Sequence, residues 1–188
     1  MARSRRYSSP MVLPRAPLTF VLGGARSGKS RYAESLIAAL PAPWIYVATA
    51  EALDEEMAGR IATHRGRRDA RWLTIEAPRD LSTVLTAPGS SPILVDCLTL
   101  WLSNLVLADA DIETEIARLE QALAATTAPV VLVANEVGYG IVPDRPLGRR
   151  FRDMQGILNQ RMAARADRVV LVVAGLPLAL KGTLQETP

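Results

Sequence analysis

Residues 23–30 read Gly-Gly-Ala-Arg-Ser-Gly-Lys-Ser, the pattern G-x-x-x-x-G-K-S, and they stand between a short apolar run and a helical one. No other feature restricts the fold so tightly, because this pattern works as the turn from a buried strand into a helix. Upstream, Leu18-Thr19-Phe20-Val21-Leu22 is β-branched and aromatic and suits such a strand. Downstream, Ser30 to Leu40 places Tyr32, Leu36, Ala39 and Leu40 at helical spacing. The glycines let backbone N–H groups converge on phosphate oxygens, and the helix N-terminus adds partial positive charge. Lys29 can reach the β- and γ-phosphates, and Ser30 can hold Mg²⁺. The chain has 20 arginines and two lysines, and Lys29 stands where a compact ammonium on a flexible stem suits phosphate. The implied ligand is a nucleotide.

The rest of the chain alternates in the same way. Strands are expected at Trp44–Ala48, Trp72–Glu76, Ile93–Val95, Val130–Ala134 and Val169–Val173. Helices are expected at about Asp54–His64, Arg79–Leu85, Leu98–Leu107, Ile112–Ala125 and Leu147–Ala166. Apolar strands interleaved with helices describe an α/β protein with a mostly parallel sheet covered on both faces. Ligands of such sheets sit beyond the carboxyl ends of the strands, so the residues just after each apolar run are where function is to be sought. One domain over residues 18–181 is expected, with a tail at 182–188.

Net charge is +3, but Arg3, Arg5, Arg6 and Arg15 stand in a leading segment without acids, and setting them aside leaves −1. A basic patch for nucleic acid is therefore not indicated in the folded body. Residues 1–17, polar and Pro-containing, read as disordered and lack the apolar stretch of a secretory signal. No run approaches a membrane span, and one Cys and one His make neither a disulfide nor a zinc site. A cytoplasmic enzyme is the expectation.

Three positions invite a chemical reading. Asp96 ends the run Ile93-Leu94-Val95, where a carboxylate can bind Mg²⁺ or its water opposite Ser30; equally, it can cap the helix beginning near Leu98. Asn135-Glu136 follows the strand Val130–Ala134 and places an amide and a carboxylate at the same edge, or is ordinary loop polarity. His64, the sole histidine, shares a helix face with Arg60 and precedes Arg65, Arg67 and Arg68. Those arginines can neutralise a polyphosphate while a neutral imidazole attacks phosphorus. The alternative is a histidine at a helix C-terminus followed by a solvated basic turn.

Taken in order, the segments GGARSGKSRYAE (23–34), YVATAEALDEEMAGRIATHRGRR (46–68), WLTIEAP (72–78), ILVDCLTLWLSNL (93–105), NEVGYGIVP (135–143) and the stretch 149–181 resemble the bifunctional adenosylcobinamide kinase/adenosylcobinamide-phosphate guanylyltransferase family of cobalamin biosynthesis. The P-loop is generic, whereas the R-I-x-x-H-R segment and the NEVG-x-GIVP loop are specific. The resemblance implies a RecA-like P-loop fold, a trimer, and two reactions: phosphorylation of adenosylcobinamide with ATP or GTP, then guanylyl transfer from GTP through a covalent guanylyl-histidine. It implies His64 as the nucleophile. It implies that Gly23, Gly24, Ala25, Arg26, Ser27, Gly28, Lys29 and Ser30 cradle phosphates, with Lys29 and the Mg²⁺ on Ser30 and Asp96 spreading charge. Further nucleotide contacts are implied at Ala48, Thr49, Ala50, Arg65, Gly66, Arg67, Arg68, Glu76 and Asp96. The corrinoid leaves no motif of its own; the Trp101 region and the Tyr139 loop are candidates for it. A GTPase switch would call for an N-K-x-D guanine motif, which this sequence lacks, and a DNA-stimulated motor for a basic groove.

Overall fold

The computed structural model describes residues 16–51, 59, 66, 68–87 and 89–184. The leading segment up to residue 15 and nearly all of the expected 54–64 helix, His64 included, lie outside the described residues.

Seven strands form one sheet: β1 (Leu18–Gly23), β2 (Trp44–Ala48), β3 (Trp72–Glu76), β4 (Ile93–Asp96), β5 (Val130–Asn135), β6 (Arg168–Val173) and β7 (Leu176–Lys181). Their spatial order is β3-β2-β4-β5-β1-β6-β7. All pairings are parallel except β6 with β7. The described helices are α1 (Lys29–Ala38), α2 (Leu81–Thr86), α3 (Leu98–Leu107), α4 (Ile112–Ala125) and α5 (Pro146–Arg165). Each lies within two residues of its expected position.

Alternation along the strands decides which side chains meet which helices. In β1, Leu18, Phe20 and Leu22 enter a core layer with Leu81 and Leu85 of α2, Leu98 and Trp101 of α3, Ile116 and Leu119 of α4, and Leu158 and Met162 of α5. Val21 points the other way, into a layer with Ala33, Leu36 and Ile37 of α1 and with Tyr46, Leu94 and Val133 of the neighbouring strands. β1, β4 and β5 are buried on both faces, which is why their sequences are continuously apolar rather than alternating. Asp80 and Asp111 cap α2 and α4 by accepting from the backbone N–H of Thr83 and Thr114.

β7 is the element that the periodicity did not announce. Pro177 sits inside it, and proline cannot donate to a ladder, so this segment reads poorly as a strand. An edge position tolerates that loss. The two-residue turn into β7, Ala174-Gly175, has φ of +52° and +81°, the left-handed pair that matches the twist of a tight hairpin.

Because six strands run in parallel, their carboxyl ends share one edge. The segments after β1, β2, β3, β4 and β5 therefore converge there, although they are up to 112 residues apart in sequence between Gly23 and Asn135.

Candidate functional site

The loop from Gly23 to Gly28 turns directly from β1 into α1. Gly23 is buried, and a Cβ on it would come 2.4 Å from Ser27 Oγ and 2.6 Å from the Val172 carbonyl oxygen. Only glycine lets the loop fold back so closely on β6. Gly28 caps α1 at φ +96°, a conformation that L side chains rarely adopt. Arg26 is also left-handed, at φ +56°. Gly24, Ala25 and Arg26 are exposed, whereas Ser27, Lys29 and Ser30 are half-buried. The Lys29 ammonium donates to the Gly24 carbonyl at 3.2 Å, so it lies folded over the loop. Ser27 Oγ is buried and takes no hydrogen-bond partner. A buried hydroxyl without a partner costs free energy, and a ligand oxygen entering the loop would relieve it.

Register places the strand-end residues. Glu76 of β3 aligns with Ala48 of β2, Ala48 with Asp96 of β4, and Asp96 with Val133 of β5. β5 continues two residues further, so that Asn135 aligns with Gly23 at the start of the loop. Asp96 and the phosphate loop thus face the same edge across one intervening strand. Asp96 is not the helix cap that its position allowed: Cys97 occupies the N-cap of α3, without a side-chain cap bond. The Asp96 carboxylate instead accepts a hydrogen bond from the Tyr46 hydroxyl at 3.1 Å. Burial first, and then the Asp96 carboxylate, push the Tyr46 hydroxyl far above the usual tyrosine value, so it stays a proton donor.

Thr49 is fully buried, and its hydroxyl accepts from the Cys97 N–H and donates to the Cys97 carbonyl, both at 2.8 Å. Its own carbonyl accepts from Asn104 Nδ2, also at 2.8 Å. The side chain therefore ties the end of β2 to the start of α3. Ala48 and Ala50 are half-buried beside it, and Glu76 is exposed at the end of the edge strand β3. The Asn135 N–H donates to the Thr99 hydroxyl oxygen at 2.7 Å, and Glu136 Oε1 accepts from the Gly138 N–H at 2.7 Å.

Of the basic segment, Gly66 is exposed and Arg68 half-buried, while His64, Arg65 and Arg67 lie outside the described residues. The Arg68 guanidinium stacks over the Tyr46 ring at 3.6 Å from its centroid, and its buried Nε and Nη1 have no acceptor. The structure thus brings Arg68, Tyr46 and Asp96 together. Two contributors were missed by sequence reasoning: Tyr46, which reads as an ordinary strand residue, and Gly175, whose N–H donates to the Ser27 carbonyl at 2.8 Å.

The two corrinoid candidates separate. Trp101 is 1% exposed and its indole N–H donates to the Arg79 carbonyl, so it is core and offers no surface to a ligand. Tyr139 is 88% exposed, with Ile141 and Val142 also outside, beside a 460 Å³ groove lined by Val106, Leu107, Pro143, Leu147 and Phe151 among others.

The two residues expected to hold Mg²⁺, Ser30 and Asp96, offer a hydroxyl and a carboxylate. Among the described residues, no three or more His, Cys, Asp or Glu gather into a metal-holding group. Oxygen donors are the type that Mg²⁺ prefers, and it binds through one or two protein groups plus substrate phosphates.

Among the described residues no helix is long and apolar enough to cross a membrane. In solved structures, the chain is similar to a protein from Pyrococcus horikoshii OT3 with a TM-score of 0.54 at 10% identity, over 93% of this chain and 91% of that one. It is also similar to the assembled ATPase EscN of the enteropathogenic E. coli type III secretion system, with a TM-score of 0.50 at 12% identity, over 85% of this chain and 43% of that one. At such identities the likeness speaks of fold alone, and the fold is a RecA-like P-loop fold. In sequence, the chain is 48% identical to the bifunctional adenosylcobalamin biosynthesis protein CobP of Pseudomonas aeruginosa, over 86% of this chain and 96% of that protein. It is 44% identical to the bifunctional adenosylcobalamin biosynthesis protein CobU of Salmonella typhimurium, over 87% and 99%. The family model described as cobinamide kinase/cobinamide phosphate guanyltransferase matches residues 19–180, and the chain belongs to that family of kinase and nucleotidyltransferase enzymes.

Proposed function

We propose that this protein phosphorylates the aminopropanol hydroxyl of adenosylcobinamide with ATP or GTP, and then transfers GMP from GTP to the new phosphate. The products are adenosylcobinamide-GDP and pyrophosphate. The observation that carries the reading is the phosphate loop folded at the carboxyl edge of the sheet, facing Asp96, in a chain that matches this family along nearly its whole length.

In the kinase step, Gly23 to Ser30 cradle the phosphates with backbone N–H groups, and the Lys29 ammonium leaves the Gly24 carbonyl for the γ-phosphate. Ser30 and Asp96 are the residues that would hold Mg²⁺, which when bound supplies charge neutralisation on the phosphates. In the transferase step, a neutral His64 nitrogen attacks the α-phosphorus of GTP; a P–N bond forms as the bond to pyrophosphate breaks. A phosphate oxygen of the corrinoid then attacks the same phosphorus, and the P–N bond breaks to regenerate the imidazole. Arg65, Arg67 and Arg68 neutralise the polyphosphate. Ala48, Ala50 and Gly66 line the nucleotide, with the buried Thr49 fixing the end of β2 behind them through the Cys97 peptide. Glu76 accepts from the guanine N1–H and N2–H pair, a match for a carboxylate.

The reading takes residues 18–181 as one working domain and places it in the cytoplasm as a homo-oligomer, a trimer by resemblance. Support for association comes from Leu176, Leu178 and Leu180, which alternate along the edge strand β7 and are all more than half exposed. The buried free thiol of Cys97 suits a reducing compartment.

The test is to incubate the protein with Mg²⁺ and GTP labelled at the α-phosphate, with γ-labelled GTP as control, and to repeat it with His64→Ala. Acid-labile, alkali-stable α-label that vanishes in the variant is expected. Release of γ-phosphate with no attached α-label would overturn the nucleophile assignment.

A further inference from the structure

Tyr46 lies on β2 with its ring in the core layer that holds α1, edge-on to Trp72 at 6.2 Å. Register explains how it reaches the site. Tyr46 aligns with Leu94, so Asp96, two residues further along β4, is its diagonal neighbour on the same face. A ring lying along that diagonal carries its hydroxyl to the sheet edge, where it donates to Asp96 Oδ2 at 3.1 Å. The ring also carries the Arg68 guanidinium at 3.6 Å, with two buried N–H-bearing atoms that lack an acceptor. An aromatic ring attracts a guanidinium but does not satisfy its N–H groups, so Arg68 is stored there with donors to offer.

We propose that Tyr46 is a positioning residue serving both chemistries: its hydroxyl orients the Asp96 carboxylate toward the metal–nucleotide, and its ring holds Arg68, four residues after His64, in reach of the same polyphosphate. The inference rests on the function proposed above. A carboxylate at a strand end has torsional freedom, and a donor fixed by a packed ring removes it. Groups that orient a metal's ligands in this way commonly change metal affinity by about 10–100-fold. The two roles use different atoms of one side chain and can be separated.

The experiment measures equilibrium binding of a non-hydrolysable GTP analogue, once with Mg²⁺ and once with EDTA, for wild type, Tyr46→Phe, Asp96→Asn and the double variant. Tyr46→Phe keeps the ring and removes one oxygen, and a thermal midpoint checks that it folds. The expected result is about tenfold weaker binding in Mg²⁺ and unchanged binding in EDTA. Adding Asp96→Asn should then cost no more than Asp96→Asn costs alone. Guanylyl labelling at subsaturating nucleotide should slow in Tyr46→Phe and slow further in Tyr46→Leu, which also releases Arg68. Equal losses in Mg²⁺ and EDTA, or no loss at all, overturn the proposal, as do fully additive effects of the two substitutions. If wild type takes α-label while Tyr46→Phe leaves the Mg²⁺ dependence unchanged, the inference fails alone. If wild type neither labels nor binds in an Mg²⁺-dependent way, the proposed function fails and takes the inference with it.

Discussion

The backbone N–H of Gly175 donates to the carbonyl of Ser27 at 2.8 Å, so the turn between β6 and β7 is fastened to the phosphate loop. The approach is close enough that a Cβ on Gly28 would sit 3.2 Å from Gly175 Cα. The hairpin at the sheet edge thereby supports the loop from behind.

Gly28→Ala should cost about 1–3 kcal/mol of stability, because alanine would be held at φ +96° against that turn. Gly24→Ala is the control: its Cβ meets nothing within 4 Å, so its cost should stay within about 1 kcal/mol. Denaturant midpoints of the two variants check this, and equal values would remove the argument for a braced loop.

Replacing Lys29 by alanine should weaken triphosphate binding by about 30-fold, the loss of one charge-assisted contact of about 2 kcal/mol. Lys29→Arg should not restore it in full, since a larger, rigid planar fork replaces the compact ammonium on a flexible stem. Calorimetric titration with nucleotide distinguishes the cases, and wild-type affinity in Lys29→Arg would show that charge alone suffices.

Thr49→Val keeps the shape and removes the hydroxyl that bridges both polar groups of the Cys97 peptide. The buried Cys97 N–H then loses its partner, whereas the Cys97 carbonyl keeps the Trp101 N–H at 3.2 Å, so the cost should be about 1–3 kcal/mol. Thr49→Ser should retain most of the stability. A urea titration of the three proteins measures the difference, and indifference to valine would mean that water replaces the bridge.

Arg161 joins α4 to α5 by a two-pronged bond to Glu120, Nε to Oε1 at 2.9 Å and Nη2 to Oε2 at 2.6 Å, while Arg165 also approaches Oε1 at 3.0 Å. Those bonds, with Arg161 foremost, draw the Glu120 carboxyl down from 4.5 to about 2. A depressed carboxylate stabilises the fold fully above its unfolded value, and the contribution fades as pH falls through the folded one. Glu120→Gln should therefore be less stable than wild type by about 1–2 kcal/mol at pH 6, with the gap closing between about pH 4.5 and pH 2. Unfolding midpoints at pH 6 and pH 2.5 test it; a gap that is independent of pH would assign the effect to packing.

Most elements were legible along the chain, because each depends on local periodicity and local capping. β1, β4 and β5 announce themselves as continuous apolar runs, Asp111 and Asp80 stand at helix starts, and the glycine spacing of 23–28 specifies a loop before any contact is known. Asp96 was legible as a strand-end carboxylate, but its choice between capping α3 and accepting from the Tyr46 hydroxyl was not. Trp101 illustrates the opposite limit: an aromatic near a candidate site is surface or core according to what packs on it, and α3 turns it inward to the Arg79 carbonyl.

By itself, the sequence determined the alternation of strands and helices, the phosphate loop between the first of each, and the family to which the chain belongs. Those properties reside in patterns no longer than a helix or a motif, where side-chain spacing and backbone freedom act directly. Only the tertiary structure decided that β5 separates Asp96 from the loop, that Tyr46 meets Asp96 across 50 residues, and that a proline-containing segment closes the sheet and braces Ser27 through Gly175. Strand order and diagonal contacts are set by which apolar faces can be buried together, a competition among distant segments that no local window contains.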